Sequence, residues 1–208
     1  MLRHQLISLT AILLGSLMLA GPLNAQAAYI PYHELNEWDE MPSSTEFGPL
    51  TGGFPDPDGQ HLWLLGRCGA NNCADSDRDA ILKFDLEGNL VDSFGAGLFA
   101  FTHGFLLDNE GYFWVTEGAP DGDARAEPGY RRGRGHQVHK VDQEGRIVMS
   151  LGEAGVHGCD ETHFNGPSDV VVASNGDIWI ADGHRGGNNR VVKFSSDCLL
   201  YTSDAADE

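Results

Sequence analysis

The stretch FTHGFLLDNEGYFWVTE (residues 101–117) returns in outline as GPSDVVVASNGDIWIAD (residues 166–182). Each copy opens a short apolar run, turns at Asn/Asp-x-Gly or Asn-Gly, and enters a second run centred on tryptophan. Apolar and β-branched runs between glycine-bearing turns are the pattern of strands, not helices. A third copy, PDGQHLWLL (residues 57–65), supplies the same turn and tryptophan strand. The copies differ at one polar position: Thr51, His103 and Ser168 share a slot near the start of the first strand. An equivalent position filled differently in each copy marks a site built on a repeating frame.

Behind each tryptophan strand comes another strand: residues 80–91, 136–148 and 190–197. Lys83, Lys140 and Lys193 fall in register there, as do Trp63, Trp114 and Trp179. Gly95 and Gly152 close the first two units. Four antiparallel strands per unit, recurring at roughly 50 residues, indicate blades of a β-propeller. A plain β-sandwich would not require the threefold return of glycine, tryptophan and lysine. The fold class is therefore all-β, a partial propeller of about three blades. Three blades are fewer than the roughly four to eight of a closed ring, so open edges and low stability are expected.

The chain begins with Arg3 and His4, then an apolar run over residues 6–20 and the small-residue pattern Ala25-Gln26-Ala27. This is the pattern of a secretory signal peptide over residues 1–27, too short for a membrane span. It places the protein in the periplasm or outside the cell, with no membrane contact after cleavage. The propeller would then occupy residues 28–197. Loss of Arg3 would take the formal charge from −18 to −19. A field of that sign repels phosphate backbones, so nucleic acid is excluded as a partner.

An exported chain meets oxidising conditions. Cys68 and Cys73 are then candidates for a small disulfide loop, with free thiols as the alternative, while Cys159 has no evident partner. Two insertions interrupt the units, over residues 66–79 and 118–135; the second carries Tyr130, Arg131, Arg132 and Arg134. Such a basic run could dock a carboxylate or simply be solvated. Glu117 and Asp182 share one repeat position. An acid present in two copies reads as a structural acceptor rather than a catalyst. Near the end, Ser195 to Cys198 aligns with Asp85 to Gly88, so Cys198 stands in the place of the turn glycine. The repeat pattern breaks there, and residues 198–208 are expected to be a non-native tail with no closing strand.

Three side chains could carry chemistry. His103 opens an inner strand and can offer a neutral imidazole to a metal or a hydrogen bond to the channel wall. Arg67 follows the first tryptophan strand and can hold a carboxylate by its fork. His184 follows the third tryptophan strand.

The motifs LLGRC, FTHGFLLDNEGYFWVTE, HFNGPSDVVVASNGDIWIADGH and NNRVVKF, which span residues 50–194, resemble NHL-repeat six-bladed propellers. Within these they are most similar to the peptidyl-α-hydroxyglycine α-amidating lyases. The resemblance implies cleavage of a carbinolamide to a peptide amide and glyoxylate, with zinc on three channel histidines and calcium in the channel. It assigns His103 to zinc, the Phe105 backbone carbonyl to calcium, and Arg67 to the active-site arginine. His184 stands where the family has a tyrosine base. Two further zinc histidines have no counterpart in these units. The chain is accordingly expected to be an N-terminal fragment, inactive alone. Its partner would be a small peptide-like carbinolamide. The alternatives are a non-catalytic NHL-repeat scaffold of the cell envelope, with a protein partner, and a propeller hydrolase that uses a channel calcium.

Overall fold

The computed structural model describes residues 48–74, 76–118, 133–184, 188–198 and 200–205. The signal peptide expected over residues 1–27 and the arginines at 131 and 132 lie outside these residues. Twelve strands form three four-stranded sheets. The first contains β1 (Leu50–Pro55), β2 (His61–Gly66), β3 (Ile81–Asp85) and β4 (Leu90–Phe94). The second contains β5 (Thr102–Leu107), β6 (Phe113–Glu117), β7 (Gln137–Val141) and β8 (Ile147–Leu151). The third contains β9 (Pro167–Val172), β10 (Ile178–Asp182), β11 (Arg190–Phe194) and β12 (Leu200–Ala205). Every sheet is antiparallel and ordered as in sequence, and the inner strands β1, β5 and β9 lie in succession. This is the blade arrangement read from the repeats.

The repeat landmarks have local physical causes. Between the first two strands of each sheet, the turn glycine donates its N–H three residues back: Gly59 to Asp56, Gly111 to Asp108, Gly176 to Ala173. All three glycines hold a positive φ, which a side chain would oppose. In the first two turns the aspartate also receives the indole N–H, Trp63 on Asp56 and Trp114 on Asp108, each at 2.8 Å. Tryptophan and lysine then face each other across the middle of each sheet: Trp63 and Lys83, Trp114 and Lys140, Trp179 and Lys193. Each ammonium lies 4.9 to 5.4 Å from its indole. Such contacts contribute about 0.5–1 kcal/mol apiece.

Successive sheets bury these faces against one another. Trp63 meets the edge of Phe113 at 4.8 Å, within a cluster that includes Leu65, Ile81 and Phe99. Trp114 packs with Val170, Ile178 and Ile180 of the third sheet. Trp63 and Trp114 are 4% and 2% exposed, whereas Trp179 is 42% exposed. Val171 and Val191 are also exposed beside it. The face that blades one and two bury is thus open on blade three among the described residues.

Close packing of the inner strands selects glycine at two positions. A Cβ at Gly52 would come within 2.5 Å of the Phe105 Cβ, and one at Gly104 within 2.7 Å of the Asp169 Cα.

The end of the described chain differs from the sequence expectation of a missing closing strand. Cys198 adopts a φ of 64° and donates its N–H to Ser195, as Gly88 does to Asp85 and Gly145 to Asp142. The turn is therefore made with cysteine in the glycine's place. The strand Leu200–Ala205 then pairs with β11 as the fourth strand of its sheet. Edge pairing rests on backbone hydrogen bonds, which tolerate many side chains. Leu200 adds contacts to the apolar cluster between the second and third sheets.

Candidate functional site

Arg67 lies directly beyond β2, where its backbone N–H donates to the Pro49 carbonyl at 3.0 Å. Its Nε donates to the Thr102 carbonyl at 3.1 Å, and its Nη1 to the Asn71 side chain at 3.0 Å. The guanidinium carbon stands 3.8 Å above the Phe101 ring. The contact is reciprocal along the backbone, because the Thr102 hydroxyl donates to the Gly66 carbonyl at 2.9 Å. Residues 66–67 and 102–103 are thus stitched together between the first and second sheets.

His103 is the next residue of β5. Its Nδ1 is 2.8 Å from the Ser168 carbonyl oxygen. A carbonyl only accepts, so Nδ1 carries the proton and the neutral ring keeps its lone pair on Nε2. This is how a metal-binding histidine is commonly oriented from behind. His184 follows β10, and its backbone N–H is fixed on the Gly166 carbonyl at 2.9 Å. Its ring lies 4.4 Å from that of His103 and 6.3 Å from that of Phe101. The three side chains singled out in the sequence therefore converge, with Phe101 between Arg67 and His184. A cleft of about 500 Å³ adjoins this group, lined in part by Ser168, Asp182, His184, Asn189 and Arg190.

Phe105, two residues along β5, stacks its ring on Phe113 with the planes 2° apart. Among the described residues, no group of three or more histidine, cysteine and acidic side chains is arranged to hold a metal ion. Of the groups that the resemblance assigns to zinc, the described residues contain one oriented imidazole, His103. Cys68 and Cys73 are joined in a disulfide, and Cys159 is a free, exposed thiol.

Glu117 and Asp182 hold the site from behind. Glu117 is buried and accepts backbone N–H groups from Ala100, Phe101 and Gly135. Asp182 accepts the N–H of Asn165, the repeat equivalent of Ala100, at 2.7 Å. It also pairs with the buried Arg190 at 2.9 Å and receives Asn188 at 2.7 Å. The recurring acid is a structural acceptor that ties the entrance of each inner strand to the end of the next. Neither Asn71 nor the Ser168 carbonyl was marked by the sequence. A backbone acceptor leaves no residue signature, and Asn71 is one of two adjacent asparagines in a loop.

The NHL repeat family matches residues 164–194. Over 111 residues the chain is 44% identical to a Caenorhabditis elegans protein named "Probable peptidyl-alpha-hydroxyglycine alpha-amidating lyase pgal-1". That match covers 53% of this chain and 27% of the nematode protein. Rat peptidylglycine alpha-amidating monooxygenase is 34% identical over 57% of this chain and 11% of its own length. Human NHL repeat-containing protein 3 is 38% identical over 32% of this chain and 20% of its own length. The chain thus spans about a quarter or less of the curated relatives it matches. It carries an NHL repeat within a β-propeller fold and is similar along about half its length to the peptidyl-α-hydroxyglycine α-amidating lyases.

Proposed function

We propose that these blades are the Arg67- and His103-bearing part of an exported, metal-dependent lyase that cleaves a peptidyl-α-hydroxyglycine to a peptide amide and glyoxylate, and that they do not turn over substrate by themselves. The observation that carries this reading is the approach of His184, which lines a cleft, to His103 and to Phe101, the ring that also carries the Arg67 guanidinium. The substrate has a carboxylate, a carbinol hydroxyl and an amide nitrogen that must leave. Arg67 takes the carboxylate, since a planar guanidinium matches two carboxylate oxygens. His184 takes the hydroxyl proton as the C–N bond breaks and returns it to the leaving amide nitrogen, so that the carbinol becomes the glyoxylate aldehyde and the nitrogen a primary amide. His103 presents Nε2 to zinc, its other nitrogen being held by Ser168. Zinc, when bound, supplies Lewis-acid charge for a developing alkoxide. The same reading gives calcium the Phe105 carbonyl. Periplasmic or secreted localisation follows from the leader read in the sequence.

The test uses hippurate, an unreactive carboxylate of the substrate's shape. Hippurate binding that is lost in Arg67→Ala supports the reading. A chain that does not bind hippurate overturns it.

A second reading is a non-catalytic NHL-repeat binding module of the cell envelope. The likeness to human NHL repeat-containing protein 3 favours it. Under that reading Arg67→Ala leaves small-carboxylate binding unchanged.

A further inference from the structure

We infer that the seam between the second and third sheets holds a binding site for a small aromatic amine. The site is a cleft of about 480 Å³ whose apolar wall is formed by Leu106, Trp114, Met149 and Ile178. It reaches the turns at Asp108 and Ala173, at the end of the sheets opposite that from which Arg67 and His184 emerge. The proposed lyase reaction leaves it unused.

The neighbouring seam shows which shape such a space takes. Between the first and second sheets, Phe54, Phe94, Phe105 and Phe113 gather about Trp63. Phe94 and Phe113 lie 5.8 and 4.8 Å from Trp63, centroid to centroid, and Phe105 stacks on Phe113. The strand registers carry these four positions one sheet onward to Leu106, Leu151, Val170 and Ile178, about Trp114. Tryptophan is kept while four phenyl rings become four aliphatic side chains. Protein interiors close-pack, so ring volume given up by the chain is volume open to another occupant. The cleft stands on that seam, with Leu106 and Ile178 in its wall. An apolar cavity with a few polar groups at its edge is the usual form of a small-molecule site.

The edge sets the charge of the occupant. Of the described side chains that line the cleft, three are charged: Asp108, Glu110 and Lys140. Lys140 is 3.2 Å from Glu110 and 3.7 Å from Asp108, so its ammonium is already matched. Asp108 is committed inward, accepting the backbone N–H groups of Glu110 and Tyr112 and the Trp114 indole N–H. Glu110 is 73% exposed and is the carboxylate that a second cation can approach. In the first sheet the corresponding pair, Asp56 and Asp58, meets His61 as well as Lys83. Tyr112 holds the position of His61, so the second sheet has one basic group fewer there. A rim with two carboxylates and one ammonium favours an incoming cation and repels an anion. Space that fits a ring, beneath a rim that favours a cation, specifies an aromatic amine.

The experiment uses the full chain with ¹³C-methyl methionine, the Met149 signal being identified by its loss in Met149→Leu. Its shift is followed on titration with 2-phenylethylamine, with 2-phenylethanol (the ring without the charge) and with butylamine (the charge without the ring). The aromatic amine should shift the signal saturably. The alcohol should bind about threefold more weakly, and butylamine about tenfold more weakly. Ile178→Phe, which puts back the ring that Phe113 supplies in the neighbouring seam, should abolish the shift. Glu110→Gln should bring the aromatic amine down to the affinity of the alcohol. Absence of a saturable shift with 2-phenylethylamine, or butylamine binding equally well, overturns the inference. So does unchanged affinity for the aromatic amine in Glu110→Gln, an exposed position whose variant decides the question even if Ile178→Phe does not fold.

Discussion

The rings of His103 and His184 lie 4.4 Å apart, centroid to centroid, although they belong to different sheets. Their approach depends on how tightly β5 and β9 pack, since the Ser168 carbonyl of β9 also holds the His103 Nδ1. Gly104, the residue after His103, is the point of contact: a Cβ there would meet the Asp169 Cα at 2.7 Å and the Ser168 oxygen at 2.9 Å. Both obstacles are backbone and cannot swing aside. Gly104→Ala should destabilise the protein by about 2 kcal/mol in urea unfolding. It should also shift the His103 ring resonances, because the carbonyl that orients them must move.

Glu117 is 1% exposed and accepts three backbone N–H groups at the entrance to β5. Truncation would leave buried donors without acceptors. Glu117→Ala should lower unfolding free energy by about 3 kcal/mol, read as a fall in the urea midpoint. Glu117→Gln keeps one acceptor oxygen and should lose less.

His163 binds Asp160 through Nδ1 at 2.8 Å and Glu153 through Nε2 at 3.1 Å. The hydrogen bond to Asp160, followed by that to Glu153, raises the pKa of His163. The Asp160 pKa is lowered in turn, first by the Thr162 N–H and then by His163. A raised histidine stabilises the fold fully below its unfolded pKa of about 6.5, and the gain is lost as pH rises through the folded value. For Asp160 the gain is present above about 3.9 and lost as pH falls through the folded value. A histidine NMR titration should give His163 a midpoint above 6.5, returning downward in Asp160→Asn.

Trp179 stands at the same sheet position as Trp63 and Trp114 but is 42% exposed, against 4% and 2%. Acrylamide quenching should separate them. Trp179→Phe should lower the quenchable share of the fluorescence, and Trp114→Phe should raise it. The reverse order would mean that the open face lies on a different sheet.

The fold was legible because its determinants repeat. Trp63, Trp114 and Trp179 each need an antiparallel partner, and the lysines placed in register by sequence are the residues found opposite them. The site was legible only in part. Arg67, His103 and His184 follow from their places at strand ends, and these places translate directly into space. What contacts them does not: the Ser168 carbonyl is backbone, Asn71 is one of two adjacent asparagines in a loop, and Phe101 acts through its face. The closing strand was missed for a related reason. A turn was equated with its glycine, but at Cys198 cysteine takes up the left-handed conformation and the next strand still pairs.

The central claim is that consecutive blades bring His103 and His184 together beside Arg67. The most direct measurement is the nuclear Overhauser spectrum of the protein with ¹⁵N,¹³C-labelled histidine. The account predicts a cross-peak between ring protons of His103 and His184 that vanishes in both His103→Ala and His184→Ala. A spectrum with both rings assigned and no such cross-peak would contradict it.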